Sequence, residues 1–581
     1  MPSVLPSAQR TAEVRTSPPT ARVSSSVRPR PPHDTVVAAL EAAADTREPL
    51  LTLHGGRRPE AHDPRALLRG AFRVGGWLQA MGVRPGDRVP ILLPTSADFV
   101  HALLGTMLVG AVPVPLATPM TFGGVGRYLQ NLAAVVEDAD ARCLVTSARL
   151  RDAAAEEPRL AARLRNVLVP QERGAPGPPR CRPAPLDPSD AALLQYTSGT
   201  TGRPKGVVIS HRALVSNAFA IAHGLSLGPE DVGVSWLPMF HDMGLIGVLV
   251  TALCHPYPVH LIRPESFVMQ PRRWLTLLSQ VGGTVSAAPN FAYDLCATRV
   301  DAPALEADLA RWRVALNGSE PVHPATVRRF GARFADHRFS SDAVMPVYGL
   351  AESTLAVTFP CLDRKLESLR LDRGTLAAGR TVRTVEGAGG LEVVSAGRPV
   401  AGASVRIVHA GAVTAERVVG EVQTTGPSLM DGYFRNGPAS ADAVQDGWLR
   451  TGDLGFLDGG RLFLVGRAKE VIIKGGRNYY PHDVERIASG VSGAEGAAAA
   501  FARPNPDAGT EDLIVVVEAR DRSPEGRERI AREARGELLA VLGVKADQVH
   551  VCPFGAIPRT TSGKVRRAAC EALLGPEGSA P

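Results

Sequence analysis

Cysteine is scarce in this sequence, and the seven cysteines among its 581 residues never form a C-x-x-C pair. An odd number of scattered cysteines disfavours both a disulfide framework and a zinc site, and it fits a reducing compartment. The sequence also lacks any run of about 18 uninterrupted apolar residues, and no apolar segment follows its first positive charges. We therefore expect a cytoplasmic protein that has neither a secretory signal nor a membrane span.

Acidic residues are slightly outnumbered, with 58 Asp and Glu against 65 Lys and Arg, which gives a net charge of +7. A basic balance can indicate a nucleic-acid partner. Part of the excess lies in residues 1–34, a segment rich in Pro, Ser and Arg that has almost no aliphatic periodicity, and we predict that this tail is disordered. Nucleic-acid binding would depend on this tail alone, so the sequence favours no nucleic-acid partner.

Helical and strand patterns alternate over most of the chain. Amphipathic stretches such as "DPRALLRGAFRVGGWLQAMG" are followed by short apolar strands such as "RVPILLP", which is typical of layered α/β sheets. After Gly390 the pattern changes to Gly-punctuated strands, which predict a small β-barrel-like subdomain. Past Arg467 it becomes α-β-α-β. We predict an α/β protein with a large N-terminal domain over residues 35–466, a hinge at 467–469 and a small mobile α+β C-terminal domain over 470–581.

The stretch "YTSGTTGRPKGVVISH", from Tyr196 to His211, combines glycines, hydroxyl side chains and one lysine, Lys205. Glycines let backbone N–H groups converge on an anion, and hydroxyls and a lysine complete a phosphate site. It is not a Walker A loop, because Gly206 follows the lysine where that motif needs Ser or Thr. Apolar strand patterns flank the loop, so we predict a phosphate-binding turn between two strands without a helix N-terminus. The alternative is a Gly/Thr-rich surface hairpin.

Five further motifs follow in order: "ALNGSEPV" at 315–322, "PVYGLAEST" at 346–354, "DGWLRTGDLGFL" at 446–457, "VGRAKEVIIKGGRNYYPHDVE" at 465–485 and "IPRTTSGKVRR" at 557–567. Taken alone, the Y-G-x-x-E pattern in "PVYGLAEST" is a weak signal that would indicate a turn followed by a helix cap. Together with the first loop, the series resembles the adenylate-forming superfamily of acyl-CoA ligases, luciferases and peptide-synthetase adenylation domains. The resemblance spans about residues 35 to 570.

Within that superfamily the sequence looks most like a fatty acyl-AMP ligase. Two motifs support this resemblance: "WLPMFHDMGLIG" at 236–247 and "GRNYYPHDVE" at 476–485. A third sign is Ala351, at a position where acyl-CoA ligases usually carry Thr. The resemblance implies an enzyme that uses ATP and Mg²⁺ to join a fatty acid to AMP. The acyl group would then pass to the phosphopantetheine of a holo acyl carrier protein or carrier domain. A long-chain acyl-CoA ligase is the nearest alternative. An amino-acid adenylation domain is less favoured, because the apolar and His-lined "MFHDMG" offers no obvious ammonium partner.

The resemblance also implies roles for particular residues. The β- and γ-phosphates would be held by Thr197, Ser198, Gly199, Thr200, Thr201, Gly202 and Lys205. The adenosine would be held by Gly318, Ser319, Glu320, Tyr348, Gly349, Leu350, Ala351, Asp453 and Arg467. Within this set Tyr348 would stack on adenine and Asp453 would accept the ribose hydroxyls. Glu352 would bind Mg²⁺, and Lys564 would reach the α-phosphate and the carboxylate oxygens.

The chemistry explains these residue types. A fatty carboxylate is already ionised at neutral pH, so it needs no general base, and the barrier lies in bringing two anions together. Fixed cations and hydrogen-bond donors must therefore provide most of the catalysis. Purely structural roles remain open for three residues. Asp453 could be a turn residue and Lys564 a solvated cation, and His241 could be a packed histidine instead of a gate to the acyl tunnel. Asp242 is interpreted as structural.

Two segments are predicted to control the domain arrangement. Lys469 follows the β-rich "LFLVGRA" and is the predicted hinge residue. Residues 354–396 are longer than acyl-CoA ligases usually need there, and they resemble the insertion typical of fatty acyl-AMP ligases. Sparse leucines in this segment give it apolar surface: Leu366, Leu369, Leu371 and Leu376. We expect the insertion to pack against the C-terminal domain and to favour the adenylating arrangement, whereas an inert surface loop is the alternative.

Overall fold

The computed structural model describes residues 20–56, 58–119, 125–172, 180–197, 204–363, 365–387, 390–474, 477–505, 510–559 and 564–574. Among these residues, no helix combines the length and the apolar character that crossing a bilayer requires. The α/β class predicted from the alternating patterns is confirmed.

Two largely parallel sheets form the first part of the chain. In spatial order, the seven strands of the larger sheet are Val344–Pro346, Val314–Asn317, Val285–Ala288, Gly233–Ser235, Val259–Ile262, Leu51–His54 and Glu60–His62. Only its last pair is antiparallel. The four strands of the smaller, parallel sheet are Val112–Pro115, Arg88–Leu92, Cys143–Thr146 and Asn166–Leu168. Such sheets are covered by helices on their faces, which is why their strands read as continuous apolar runs.

The helices of this part and of the C-terminal part fill the connections between strands. The described α-helices are Val36–Ala42, Pro64–Ala80, Ala97–Leu108, Val125–Asp138, Ala148–Glu156, Pro158–Arg163, His211–Gly224, Asp242–Gly244, Thr251–Cys254, Pro264–Met269, Arg272–Gln280, Asn290–Arg299, Pro324–Arg333, Gly437–Ala443, Pro481–Ala488, Pro524–Leu542 and Arg567–Cys570. A π-helical turn, Leu245–Val250, joins two of them. Capping is local: the Asp63 carboxylate accepts from the Ala66 N–H and Pro64 follows at the first helical position, so the helix begins there.

Small antiparallel sheets follow the parallel ones. The sheet beside the predicted phosphate loop contains Gly432–Tyr433, Lys205–Ser210 and Ala191–Thr197. A second contains Tyr348–Gly349, Ala356–Phe359 and Arg398–Pro399, and a hairpin pairs Ser368–Leu371 with Leu391–Val394. The barrel-like sheet contains Arg22–Ser24, Ser404–His409, Gly420–Thr425, Trp448–Asp458 and Val444–Gln445, with Ala412–Val413 and Arg461–Arg467 attached. These strands match the Gly-punctuated pattern after Gly390.

The predicted disorder of residues 1–34 is wrong for the segment that enters this barrel-like sheet. Arg22–Ser24 pairs antiparallel with Ser404–Arg406, and Ala21 is fully buried. The Arg22 guanidinium lies 5.2 Å from the ring centroid of Trp448. A strand added at a sheet edge is held mainly by main-chain hydrogen bonds, so its composition gives little sign of it. Residues 1–19 lie outside the described part of the chain.

Past Arg467 the chain forms separate small sheets. Ile472–Lys474 pairs with Arg477–Tyr479, and a second sheet orders Ala498–Asn505, Thr510–Ala519 and Gln548–Pro553. The helices Pro481–Ala488 and Pro524–Leu542 bury Val484 and Ile530 in the apolar cluster beside this sheet. The change of sheet falls next to the predicted hinge, although the domain boundaries themselves stay predictions.

An aromatic core supports the larger parallel sheet. Three aromatic side chains in it are almost fully buried: Trp274, Trp312 and Tyr293. The Trp274 indole N–H donates to Ser286 Oγ at 2.9 Å, and the Trp312 indole N–H donates to the Val314 carbonyl at 2.9 Å. The Tyr293 hydroxyl donates to the Leu316 carbonyl at 2.9 Å. Buried polar groups that are hydrogen-bonded specify one packing arrangement. The strand Val314–Asn317 therefore has a rigid base, and the predicted adenosine-binding turn begins directly after it.

Candidate active site

Tyr348, Asp453 and Arg467 meet in one place, as the motif series implied. The Tyr348 hydroxyl donates to Asp453 Oδ2 at 2.7 Å, and Arg467 Nε donates to Asp453 Oδ1 at 2.9 Å. Asp453 is buried, and its own N–H donates to Thr451 Oγ1 at 3.1 Å. Burial, with the Asp453 charge adding, raises the pKa of Tyr348 well above its ordinary value, so its hydroxyl remains a donor. This carboxylate is held in place by neighbouring side chains, which argues against a simple turn residue.

The turn at Gly318, Ser319 and Glu320 lies beside Tyr348 because the Val347 N–H donates to the Asn317 carbonyl at 2.9 Å. A Cβ at position 318 would lie 2.7 Å from Val347 Cγ2, so the close approach requires glycine. Ser319 has a φ of 73°, in the left-handed region. Strained backbone of this kind concentrates at functional sites. The Phe291 N–H donates to Glu320 Oε1 at 2.6 Å, and burial raises the pKa of this carboxyl.

The segment after Tyr348 turns tightly before it reaches Glu352. Gly349 admits no side chain, since a Cβ there would lie 1.9 Å from the Leu355 carbonyl oxygen. Leu350 donates its N–H to that same carbonyl at 2.9 Å, and Ala351 begins a 3₁₀ turn, Ala351–Ser353, that contains Glu352. These predicted positions thus fix the direction in which Glu352 leaves the turn.

Glu352 is anchored at its backbone and at its carboxylate. Its carbonyl accepts from the Met430 N–H at 2.9 Å, and its Oε1 accepts from the Tyr433 hydroxyl at 2.9 Å. The Lys205 ammonium lies 4.7 Å from the centroid of the Tyr433 ring. The structure therefore brings the predicted metal ligand and the predicted phosphate lysine to the same tyrosine. Sequence reasoning missed Tyr433, whose only signal is its place in "DGYF" after the flexible Gly432.

The predicted phosphate-binding turn falls between two paired strands, which confirms the strand-to-strand prediction. Thr197 is the register partner of Lys205, and this pair lies at the turn end of the hairpin. The Tyr433 strand adds to the Lys205 strand, with Gly432 opposite Val208. The predicted residues Ser198, Gly199, Thr200, Thr201 and Gly202 lie outside the described residues.

The residues present fit Mg²⁺ as a metal bound mainly by its nucleotide. In the described ranges, no group of three or more His, Cys, Asp or Glu side chains is placed to hold a metal ion. Glu352 thus stands as a single carboxylate near a lysine. Mg²⁺ is commonly held by one or two carboxylates together with substrate phosphates, and it keeps several waters.

His241 lies at the start of the short helix Asp242–Gly244. Its Nδ1 is 2.8 Å from Asp242 Oδ1, and the preceding Phe240 carbonyl accepts from Gln195 Nε2 at 2.9 Å. Gln195 lies on the strand that leads into the phosphate-binding turn, so the two motifs are tied together. The π-helical turn Leu245–Val250 follows, and such turns often occur at functional sites. His241 is therefore half-buried and in contact with the Asp242 carboxylate. Its role as a gate to the acyl tunnel stays a prediction.

Lys564, from the C-terminal part of the chain, lies near the charged groups of the N-terminal site. It is open to solvent, yet the surrounding protein lowers the pKa of its ammonium group by displacing water. Asp242, Glu320 and Asp453 oppose this shift, whereas Arg467 adds to it. Burial works to raise the pKa of Asp242, but His241 and then Lys564 hold it below its ordinary range. The charges of Asp242 and Lys564 therefore act on each other, and the structural interpretation of Asp242 stays a prediction.

The predicted hinge residue Lys469 lies in a 3₁₀ turn, Ala468–Glu470, directly after the strand that ends at Arg467. Arg567 ties this turn to the C-terminal part, since its guanidinium lies 2.5 Å from Glu470 and 2.6 Å from Glu485. Only three residues separate Arg467 from Val471, which packs with the insertion cluster described next. A hinge function for Lys469 stays a prediction.

The insertion packs on both sides of this junction. Leu371 and Leu376 are buried with Val465 and Tyr480 in one apolar cluster. The Tyr480 hydroxyl donates to the Leu376 carbonyl at 2.8 Å. Leu369 is partly buried in the same cluster, whereas Leu366 packs against the aromatic core of the larger sheet. The Arg373 guanidinium lies 3.9 Å from Asp483. The expected contact with the C-terminal part is therefore present.

The chain is similar to several known proteins. Residues 64–434 match the family described as AMP-binding enzyme. The long-chain-fatty-acid–AMP ligase FadD26 of Mycobacterium marinum is 36% identical over 519 residues, which cover 84% of this chain and 87% of that protein. The chain belongs to the fatty acyl-AMP ligase family of adenylate-forming enzymes. A putative acyl-CoA synthetase of Caulobacter vibrioides is 34% identical, with 92% of this chain and 94% of that protein covered.

Solved structures agree with membership of the fatty acyl-AMP ligase family. One, from structural and functional studies of fatty acyl-adenylate ligases of E. coli and L. pneumophila, has a TM-score of 0.85 at 33% identity and covers 94% of this chain and 99% of that chain. The L. pneumophila ligase in complex with acyl adenylate and pyrophosphate has a TM-score of 0.73 at 27% identity and covers 94% and 96%. The predicted architecture of a large N-terminal and a small C-terminal domain is that of this enzyme family.

Proposed function

We propose that this enzyme activates a fatty acid as its acyl-adenylate and passes the acyl group to the phosphopantetheine thiol of a carrier protein. A fatty carboxylate oxygen attacks the α-phosphorus of ATP, the bond from that phosphorus to the β-phosphate oxygen breaks, and pyrophosphate leaves. The contact that carries the proposal is the meeting of Asp453, Arg467 and Tyr348 within reach of Lys564. This arrangement supports a ribose acceptor in Asp453 and a cation for the α-phosphate in Lys564.

Each residue of the proposed site contacts a different part of the nucleotide. Asp453 accepts the ribose hydroxyls, since one carboxylate can accept two hydrogen bonds, and Tyr348 packs on adenine beside Gly318. Lys205 contacts the β- and γ-phosphates. Glu352 would hold Mg²⁺, which would neutralise phosphate charge when bound. Lys564 contacts the α-phosphate and the incoming carboxylate, where negative charges would otherwise repel each other.

The proposed acceptor is a carrier protein instead of free CoA, and the packed insertion supports this choice. Thioester formation in this scheme needs the C-terminal part to turn about the hinge at Lys469, which would break the contacts of Leu376 with Tyr480 and of Arg373 with Asp483. A hundredfold suppression of the turned state requires only about 2.7 kcal/mol, which a few buried side chains provide. We also place the enzyme in the cytoplasm, in keeping with seven free cysteine thiols.

One assay tests the activity. The enzyme is incubated with ATP, Mg²⁺ and a panel of fatty acids, and acyl-AMP is measured before and after addition of CoA or of a holo carrier protein. We expect acyl-AMP to accumulate and a holo carrier protein to discharge it, while CoA leaves it intact. Discharge by CoA at a comparable rate would favour a long-chain acyl-CoA ligase.

A second experiment isolates the insertion. Replacing residues 365–389 by a short Gly/Ser linker should retain adenylation and create an acyl-CoA product. The matched control is Lys365→Ala, which changes an exposed residue of the same segment and should leave CoA excluded. A linker variant that folds and adenylates but still makes no acyl-CoA would contradict the proposed role of the insertion.

A further inference from the structure

Tyr433 is fixed to the strand that begins with Lys205. Its N–H donates to Ser440 Oγ at 2.8 Å, and the next residue, Phe434, donates its N–H to the Gly206 carbonyl at 2.7 Å. Gly432 has a φ of 135°, which few other residues adopt, so the chain can turn into this short strand. The position of the Tyr433 ring is therefore set by backbone contacts to the phosphate-binding hairpin.

The side chain of Tyr433 makes two different contacts with the proposed ATP machinery. Its hydroxyl donates to Glu352 Oε1 at 2.9 Å, across 81 positions in sequence, and its ring lies under the Lys205 ammonium at 4.7 Å. A phenol hydroxyl has one proton to donate, and an ionised carboxylate only accepts, so the donor in this hydrogen bond is Tyr433. The half-buried surroundings strengthen both contacts relative to water.

These contacts have separate chemical consequences. A hydrogen bond to Oε1 fixes the rotation of the Glu352 carboxylate and leaves Oε2 free to approach a cation. The ring face attracts the Lys205 ammonium without neutralising it, since a cation–π contact transfers no charge. Lys205 and Glu352 can thus each keep a full charge for phosphate and metal.

We propose that Tyr433 is a positioning residue that orients Glu352 for Mg²⁺ through its hydroxyl and Lys205 for phosphate through its ring. This role rests on the proposed function, in which Glu352 holds the metal and Lys205 contacts the nucleotide. This role predicts that substitutions can distinguish the effect of the hydroxyl group from the effect of the aromatic ring. Tyr433→Phe keeps the ring and removes the donor, whereas Tyr433→Leu removes both.

The test is calorimetric titration of the full-length protein with ATP, once with Mg²⁺ and once with EDTA, in the absence of fatty acid. We expect Tyr433→Phe to weaken binding of Mg·ATP about tenfold and to leave binding of metal-free ATP unchanged, because only the bond to the carboxylate is lost. Tyr433→Leu should also weaken metal-free ATP, about threefold, through the loss of the ring. Tyr128→Phe is the matched control: it removes a phenol that donates to the Ala117 carbonyl at 2.6 Å, and it should bind both forms as the wild type does.

A double variant separates this inference from the proposed function. In the Glu352→Gln background, adding Tyr433→Phe should cause no further loss of Mg·ATP affinity, because the two residues act through one contact. An equal loss for Mg·ATP and metal-free ATP in Tyr433→Phe, no loss at all, or a large fall in its melting temperature relative to Tyr128→Phe would overturn the positioning role. Wild-type affinity for Mg·ATP in Glu352→Gln would instead reject the metal site of the proposed function, and the role of Tyr433 with it.

Discussion

The Tyr348 hydroxyl donates a 2.7 Å hydrogen bond to Asp453 Oδ2, although 105 positions separate the two residues in sequence. Tyr348 follows the last strand of the parallel sheet, and Asp453 lies on the barrel-like sheet. Arg467 completes the group from the neighbouring strand, where it is the register partner of Asp453. The proposed ribose site is therefore assembled from two sheets, and its carboxylate is oriented before a nucleotide arrives.

Asp453→Asn should raise KM for ATP about tenfold or more, with a smaller change in kcat. The amide keeps the shape but loses the charge that pairs with Arg467 and weakens the acceptor offered to the ribose. Steady-state kinetics of pyrophosphate release measures this. Asp458→Asn is the matched control, because Asp458 ends the same strand and pairs with Arg417 at 3.2 Å. An unchanged KM in Asp453→Asn would remove this residue from the nucleotide site.

Lys564→Ala should reduce acyl-AMP formation about a hundredfold or more while the melting temperature stays nearly constant. Its cation lies near Asp242, Glu320 and Asp453, while the residue as a whole is exposed and belongs to no apolar cluster of the described residues, so it serves the reaction more than the packing. Initial rates of acyl-AMP synthesis and a thermal melt provide the two readouts. Lys545→Ala, at another exposed lysine of the C-terminal part, is the control. Normal initial rates in Lys564→Ala would exclude it from the site.

Lys469→Pro should spare adenylation and impair transfer to the carrier protein. Proline fixes φ near −65°, so the turn Ala468–Glu470 would lose the backbone rotation that a hinge needs. The two half-reactions are measured separately, as pyrophosphate release and as loss of acyl-AMP to the holo carrier. Lys469→Ala removes the same side chain and keeps the backbone free, so it should retain transfer. If both half-reactions fell equally, the hinge would lie elsewhere.

Acid should destabilise the folded protein through His101. Its side chain is 6% exposed, and within the described part of the chain neither ring nitrogen has a hydrogen-bond partner. Burial, with His62 and Arg73 adding, lowers its pKa from 6.5 to about 4. Between pH 6.5 and pH 4 the unfolded chain binds a proton at this histidine, whereas the folded protein does not. The contribution of neutral His101 to the free energy of unfolding is therefore fully present above pH 6.5 and is lost as the pH falls toward 4.

The size of this effect follows from the fall of the His101 pKa from 6.5 to about 4, which corresponds to a loss of stability on the order of 3 kcal/mol. His101→Leu removes the titrating group and should flatten the dependence of the urea midpoint on pH in this window. A variant with the same slope as the wild type would show that other groups cause the acid sensitivity.

The sequence by itself predicted the residue types of the proposed site and their order along the chain. The glycine and hydroxyl pattern with Lys205, the apolar strands around it and the series of later motifs depend on neighbouring residues only. Local signals of this kind survive in a sequence because turn geometry and strand burial restrict residue types at fixed spacing. The strand-to-strand turn, the α/β class and the β-rich segment after Gly390 followed from them.

Only the tertiary structure decided which distant residues meet. Tyr433 contacts Glu352 across 81 positions, the charge of Lys564 lowers the pKa of Asp242 from another part of the chain, and Arg22–Ser24 completes a sheet beside Ser404–His409. A single tyrosine, aspartate or Ser/Arg-rich segment carries no local pattern that names its partner. The physical reason is that such contacts depend on how sheets pack and on which backbone edges are open, and these are properties of the whole folded chain and not of any one stretch.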